Sequence, residues 1–120
     1  MINFLNLKSI NFQYKKDIEK AMLRVYQSGW YIRGNECDNF EKYFSKYCGT
    51  NHCIGVANGL DALSLIFKAY IELGKLEPGD EVLVPANTYI ASILAIVNNE
   101  LTPVLVEPAM NSFNIDDIKA

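Results

Sequence analysis

Residues 58–63, with the sequence NGLDAL, have residue types and spacing suited to binding an anion. A short apolar run precedes them and a long apolar run follows, so the segment is predicted to turn from a strand into a helix. A helix N-terminus offers unpaired backbone N–H groups and the positive end of the helix dipole. Gly59 lets an anion approach the backbone, and Asn58 and Asp61 are good capping residues. The pattern predicts a phosphate site, although a strand-to-helix connection can also carry Gly and Asn simply in order to turn.

A second candidate site lies at residues 85–92, PANTYIAS, after the next predicted strand. Ligands of open α/β sheets bind outside the carboxyl ends of the strands, and both turns lie at that edge. The ring of Tyr89 is expected there, where it can stack on a flat cofactor; the alternative is a core aromatic at the start of a helix. Neither G-x-G-x-x-G nor G-x-x-x-x-G-K-[ST] occurs, so the dinucleotide and nucleoside-triphosphate fingerprints are absent.

Two helices are predicted before these turns. Apolar residues recur at helical spacing over residues 14–28, and Gly29 can end that helix. A turn, GWYIRG, follows at residues 29–34. The second helix is predicted over residues 37–48, with Gly49 at its C-cap. The predicted buried face of this second helix consists of Phe40, Tyr43, Phe44 and Tyr47.

The rest of the chain alternates between strands and helices. Buried strands are predicted at residues 53–57, 81–86 and 102–108, and apolar helices at residues 62–73 and 88–99. The helix over residues 62–73 is apolar almost all round, so both its faces are expected to be covered. A further helix is predicted to start in NIDDIKA, residues 114–120. The order predicts an α/β fold with a mostly parallel sheet and helices on both faces.

One incomplete domain is expected, with N-terminal helices in residues 1–50 and a β-α-β-α-β segment in residues 51–120. Further strands are expected beyond Ala120, because a sheet covered on both faces usually needs more than three.

Composition and charge exclude several function classes. The net charge of −3 and the isoelectric point near 5.1 provide no basic surface for nucleic acid. No apolar run is long enough to span a membrane and no signal-peptide pattern opens the chain, so a cytoplasmic protein is expected. Three unpaired cysteines and the single histidine, His52, favour neither a disulfide framework nor a metal site.

Read in order, the segments resemble the N-terminal portion of the DegT-type, pyridoxal phosphate (PLP)-dependent sugar aminotransferases. The matching segments are GWYIRG, FEKYFSKYCG, CIGVANGLDAL, PGDEVLVPANTYIASILAI, TPVLVEP and NID. Each segment alone is weak evidence, but six segments in the same order are specific for this family. The segments VANGLDAL and VPANTYIASILAI are similar to those of enzymes that aminate a thymidine-diphosphate-linked keto-6-deoxyhexose, particularly at C3. The resemblance implies the large domain of the type I PLP-dependent aminotransferase fold.

The resemblance also implies which residues hold the cofactor. Gly59, Leu60 and Asp61 are expected at the PLP phosphate, mainly through backbone N–H groups. Many members carry Ser or Thr where this chain has Leu60, so one hydroxyl contact is lost. Tyr89 matches the position whose ring stacks on the pyridine.

A second set of implied residues touches the substrate. Tyr31, Ile32, Arg33 and Gly34 match a loop that contacts the nucleotide-sugar, often from the partner subunit of a homodimer. Glu107 stands where many members have Asp, and no catalytic role is expected for it.

The implied reaction moves an amino group from glutamate to a nucleotide-linked keto sugar, for O-antigen or polysaccharide biosynthesis. It needs a lysine that forms a Schiff base with PLP and a carboxylate at the ring nitrogen. No lysine of this chain matches the catalytic position, and Asp116 and Asp117 are interpreted as acids in the first turn of a helix. We therefore expect that these 120 residues contain no catalytic residue and, alone, no aminotransferase activity.

Other functions stay open at this point. One alternative is a 4-aminotransferase of the same family, and another is a binding or regulatory module that keeps the phosphate site without the chemistry. A piece of a nucleotide-binding dehydrogenase or epimerase is a third alternative, disfavoured by the missing G-x-G-x-x-G.

Overall fold

The computed structural model describes residues 4–116, and the chain divides into two compact units, Met1–Gly55 and Val56–Ala120. The predicted helix over residues 114–120 is not seen in its described part, because Ile115 forms an antiparallel bridge with Pro108. The rest of that prediction, including Asp117 and Lys119, lies outside the described residues.

Over residues 4–55, the first unit forms the helices α1 (Leu7–Phe12), α2 (Lys15–Ser28) and α3 (Asn35–Cys48). The predicted helices over residues 14–28 and 37–48 are confirmed as α2 and α3, whereas α1 was not predicted. Both longer helices end at a glycine in the left-handed conformation, Gly29 with φ 67° and Gly49 with φ 70°. Residues with a Cβ rarely adopt this conformation, which explains why glycine marks both ends in the sequence.

The predicted buried face of α3 is wrong. Phe40, Tyr43, Phe44 and Tyr47 are exposed, between 45% and 86% of their surface. Three of these rings contact one another instead, with centroids 5.4 Å apart for Phe40 and Phe44 and 6.2 Å apart for Phe44 and Tyr47. The physical reason is that a helical apolar stripe is buried only if something packs on it, and no described residue of this unit is buried.

The second unit holds a β-α-β arrangement preceded by a helix. Its elements are α4 (Gly59–Glu72), β1 (Glu81–Pro85), α5 (Ile90–Val97) and β2 (Thr102–Val106). The two strands pair in parallel, in a register that runs from Glu81 opposite Thr102 to Pro85 opposite Val106. These elements confirm the predicted strands at residues 81–86 and 102–108 and the helix that joins them.

The core of the second unit lies between α5, β2 and the neighbouring elements. Val84 of β1, Ile96 of α5 and Leu101 form a buried cluster, and Phe67 and Ile71 of α4 pack against it. The other side of α4 is not covered, so the expectation that both its faces are buried is wrong. The exposed large apolar residues on α4 and at its end are Leu65, Ile66, Tyr70 and Leu73.

The predicted strand at residues 53–57 is also wrong for the part of the chain that the structure describes. The sheet here has two strands, and neither pairs with this segment. Apolar, β-forming residues make a segment able to be a strand, but a strand exists only where a neighbour accepts and donates its ladder hydrogen bonds. The segment therefore leads into α4 as an irregular connection.

Candidate functional site

The N-terminus of α4 is capped by the side chain of Asn58. Asn58 has an extended backbone, and its Oδ1 accepts a hydrogen bond from the N–H of Asp61 at 2.9 Å. The carbonyl of Asn58 accepts the first helical hydrogen bond, from the N–H of Ala62 at 3.1 Å. The predicted capping role of Asn58 is confirmed, and the helix starts at Gly59, earlier than the predicted start at Ala62.

Two backbone donors remain unpaired at this helix end. Within residues 4–116, the N–H groups of Gly59 and Leu60 have no hydrogen-bond partner. A Cβ placed on Gly59 would meet no heavy atom within 4 Å, so the space next to this backbone is open. Two unpaired donors at the positive end of a four-turn helix form an anion site of ordinary geometry.

A cavity of about 710 Å³ lies beside these donors and extends to the start of α5. Its size is in the range of small-molecule and cofactor sites. The α4 turn forms one side, and Tyr89, with 79% of its surface exposed, lies on the other at the N-cap of α5. The lining residues are Asn58, Gly59, Leu60, Ala62, Leu63, Tyr89, Ile90, Ala91, Ser92 and Leu94.

This cavity joins two regions that are about thirty positions apart in the sequence. The expectation that the turn after residue 57 and the turn after residue 85 meet at one crevice is therefore realised in the structure. The wall is mostly aliphatic, with the unpaired N–H groups and Asn58 at the N-terminus of α4 and the hydroxyl groups of Tyr89 and Ser92 at the start of α5. Such a cavity suits a flat ring that ends in an anionic group, because the ring needs apolar walls and the anion needs N–H donors.

Asp61 takes a different position from the other three predicted cofactor residues. Its N–H already donates to Asn58, and the residue lines a neighbouring cavity of about 450 Å³ together with Ser64 and Lys68. A direct contact of Asp61 with a phosphate would require its N–H to be shared with the cap. The assignment of Gly59, Leu60, Asp61 and Tyr89 to the cofactor stays a prediction.

The loop with Tyr31, Ile32, Arg33 and Gly34 belongs to the first unit, between α2 and α3. Trp30 holds it together, since its Nε1–H donates to the carbonyl of Ile32 at 2.7 Å. A Cβ on Gly34 would lie 3.2 Å from the carbonyl oxygen of Trp30, so the tight loop leaves little room for a larger residue there. Arg33 has φ 49°, which is uncommon for a residue with a side chain.

Tyr31 and Gly34 line a cavity of about 520 Å³ within the first unit. The hydroxyl of Tyr31 donates to the carbonyl of Tyr26 at 3.2 Å, and Arg24 bonds Glu36 at 2.7 Å, tying α2 to α3 beside the loop. The exposed Ile32 and Arg33 do not line this cavity. The sequence did not single out Trp30 or the Arg24–Glu36 pair, although an aromatic between two glycines is a signal of a structured loop. The substrate role of the loop stays a prediction.

Two other kinds of site have no counterpart among residues 4–116. No group of three His, Cys, Asp or Glu side chains is arranged to hold a metal ion. None of the helices in this range has the length and apolar character that crossing a membrane requires.

Comparison with known proteins gives a consistent picture. The sequence profile of the DegT/DnrJ/EryC1/StrS aminotransferase family matches residues 13–120. The dTDP-3-amino-3,6-dideoxy-alpha-D-galactopyranose transaminase of Aneurinibacillus thermoaerophilus is 61% identical over 119 residues, which are 99% of this chain and 32% of that protein. The chain spans about a third of the length of the curated relatives it matches.

Two solved structures confirm the predicted fold class. The crystal structure of Streptomyces venezuelae DesV in complex with a ketimine intermediate matches 98% of this chain and 31% of its own, with a TM-score of 0.87 and 42% identity. The Escherichia coli GDP-4-keto-6-deoxy-D-mannose-3-dehydratase, with bound hydrated PLP, matches 82% of this chain and 26% of its own, with a TM-score of 0.76 and 28% identity.

Proposed function

The chain belongs to the DegT/DnrJ/EryC1/StrS aminotransferase family, and on this premise we propose that the full-length protein is a PLP-dependent aminotransferase of nucleotide-linked keto sugars. The single observation that carries the proposal is the cavity shared by the N-terminus of α4 and Tyr89. It offers unpaired N–H donors for a phosphate and an accessible aromatic ring for a pyridine, which are the two features that PLP requires of this part of a site.

The residues of the cavity have distinct tasks in this proposal. The N–H groups of Gly59 and Leu60, at the positive end of the α4 dipole, hold the phosphate. Tyr89 stacks on the ring and excludes water from one of its faces. PLP, when bound, supplies an electron-withdrawing ring and an aldehyde that carries the amino group between donor and acceptor. The chain thus contributes binding and orientation.

The proposed acceptor is a dTDP-linked 3-keto-6-deoxyhexose, and the proposed donor is glutamate. The acceptor is supported by the 61% identity to a dTDP-3-amino-sugar transaminase. We propose that Tyr31, Ile32, Arg33 and Gly34 contact the nucleotide-sugar, that the protein acts as a cytoplasmic homodimer, and that its product enters O-antigen or other polysaccharide synthesis. Amination at C4 is the alternative within the same reaction type.

A dehydratase is a second candidate, because the structure of a PLP-containing sugar dehydratase shares this fold. The lower identity to that enzyme, 28% against 61% for the Aneurinibacillus thermoaerophilus transaminase, favours transamination.

The test is an assay of the full-length protein. It should bind PLP with a visible absorbance band and convert a dTDP-3-keto-6-deoxyhexose and glutamate to an amino sugar and 2-oxoglutarate, detected by mass spectrometry. The matching 4-keto sugar, offered in parallel, distinguishes C3 from C4 amination. A protein that binds PLP but converts the sugar to a deoxygenated product without a new amino group would support the dehydratase, and one that binds no PLP would refute the proposal.

A further inference from the structure

The carboxylate of Glu41 makes a hydrogen bond far from its own place in the sequence. Glu41 lies on α3, half-buried, and its Oε1 accepts from the backbone N–H of Gly55 at 2.7 Å. The two residues are fourteen positions apart and belong to the same compact unit. A hydrogen bond of this length to an ionised acceptor is of the stronger, charge-assisted kind.

This hydrogen bond restrains residues 53–57. Within the part of the chain that the structure describes, no other backbone N–H of this segment has a hydrogen-bond partner. A backbone N–H needs an acceptor, and the carboxylate of Glu41 supplies one to Gly55.

The packing at Gly55 shows that the contact is close as well as polar. A Cβ on Gly55 would lie 3.2 Å from Oε1 and 3.9 Å from Cγ of Glu41. A side chain at position 55 would therefore push the carboxylate away. Glycine allows the N–H to approach it directly.

The restraint lies just before the proposed phosphate site. Only Val56 and Ala57 separate Gly55 from Asn58, whose backbone and side chain set the first turn of α4. We propose that Glu41 is a positioning residue: by holding Gly55, it orders the connection that presents the N–H groups of Gly59 and Leu60 to the PLP phosphate. This inference rests on the proposed function, because it assigns Glu41 a role in PLP affinity. Glu41 itself touches neither cofactor nor reacting atoms in this scheme.

The test compares two variants of the full-length protein with a matched control. Glu41→Leu removes the acceptor at nearly constant volume, whereas Glu41→Gln keeps an acceptor oxygen without the charge. Glu19→Leu, on α2, removes an exposed helical carboxylate that pairs only with Lys15 and serves as the control. Hydrogen exchange of the Gly55 amide is measured in the protein without PLP, and the dissociation constant of PLP is measured by absorbance.

The expected results separate positioning from general destabilisation. In Glu41→Leu the Gly55 amide exchanges faster and the dissociation constant of PLP rises by about tenfold, the effect of losing one hydrogen bond to a charged group. Glu41→Gln rescues most of both effects, and Glu19→Leu changes neither. At saturating PLP, the kcat of Glu41→Leu returns close to that of the wild type, which a misfolded site would not allow.

The failures of the inference and of the proposed function are distinguishable. Wild-type protein that binds no PLP overturns the proposed function and this inference with it. Wild-type protein that binds PLP, with the same affinity in Glu41→Leu, overturns the inference alone. If Glu41→Leu does not fold, Glu41→Asp, which is one methylene too short to reach Gly55, is used with the same measurements and the same criteria.

Discussion

At the scale of single residues, Leu60 makes the proposed phosphate contact depend on the backbone. Its side chain lines the cavity and offers no hydrogen-bond donor, next to an unpaired N–H. We predict that Leu60→Ser in the full-length protein strengthens PLP binding by several-fold, because one added hydroxyl donor contributes about 1 kcal/mol. Leu60→Ala is the control for loss of the leucine side chain. Titration of PLP by absorbance is the measurement, and equal affinity of the Ser and Ala variants would contradict the prediction.

Asn58 combines a structural cap with a place in the wall of the cavity, and two substitutions separate these roles. Asn58→Ala removes the acceptor for the Asp61 N–H and is expected to cost about 1 kcal/mol of stability. Asn58→Asp keeps the cap but places a negative charge beside the phosphate, so stability is retained while PLP affinity falls. Urea unfolding and PLP titration test the pair. An aspartate variant with undiminished PLP affinity would show that the phosphate is bound elsewhere.

At the scale of elements, the end of α5 depends on the buried Asn99. Its side-chain Nδ2 donates to the carbonyl of Ala95 at 2.7 Å, and the residue is 7% exposed. Replacing it with Ala leaves this carbonyl without its donor and a gap beside Ile96 and Leu101. We predict that Asn99→Ala costs about 1–3 kcal/mol in urea unfolding of the full-length protein. Asn98→Ala, at the exposed neighbour, should cost little; equal losses would mean that burial of Asn99 is unimportant.

The turn that precedes β1 is fixed by two local hydrogen bonds. Gly79 has φ 94°, and its N–H donates to the carbonyl of Glu100 at 2.7 Å, next to the start of β2. The side chain of Asp80 accepts from the N–H of Glu77 at 2.8 Å across the same turn. The Pro-Gly turn at residues 76–81 therefore sets where the two strands begin to pair.

At the scale of the whole molecule, large apolar side chains lie on the surface of this chain. Exposed apolar side chains lie on α3, at Phe40, Tyr43, Phe44 and Tyr47, and on one side of α4. Patches of this kind mark surfaces that other protein covers. We predict that a polypeptide of these 120 residues self-associates at micromolar concentration, measured by light scattering, and that Phe44→Lys reduces the association more than Asn39→Lys on the same helix. A clean monomer for the unaltered sequence would contradict this.

The proposed aminotransferase activity also requires a lysine that forms a Schiff base with PLP. The described residues place unpaired N–H groups and an exposed tyrosine ring at one cavity, but no lysine lines this cavity. We predict that the 120-residue polypeptide, given PLP, glutamate and a dTDP-linked keto sugar, forms no amino sugar by mass spectrometry. The full-length protein, assayed under the same conditions, is the positive control, and product formation by the shorter polypeptide would contradict the prediction.

Local patterns in the sequence determined most elements and the identity of the family. Gly29 and Gly49 end α2 and α3 because they are the residues that tolerate the left-handed conformation. Asn58 marks the start of α4 because its short side chain reaches the N–H three residues on. Such signals act within a few residues, so they can be read without knowing the fold.

Contacts between distant residues were decided only by the tertiary structure. The same apolar patterns predicted a paired strand at residues 53–57 and a buried face on α3, but hydropathy records what a segment is able to bury and not whether a partner is present. The shared cavity of Leu60 and Tyr89, and the hydrogen bond from Gly55 to Glu41, join residues that no local spacing relates. The 58–61 turn could be predicted as an anion site from the sequence, whereas its sharing of a cavity with Tyr89 and the hydrogen bond between Gly55 and Glu41 depend on how the chain folds.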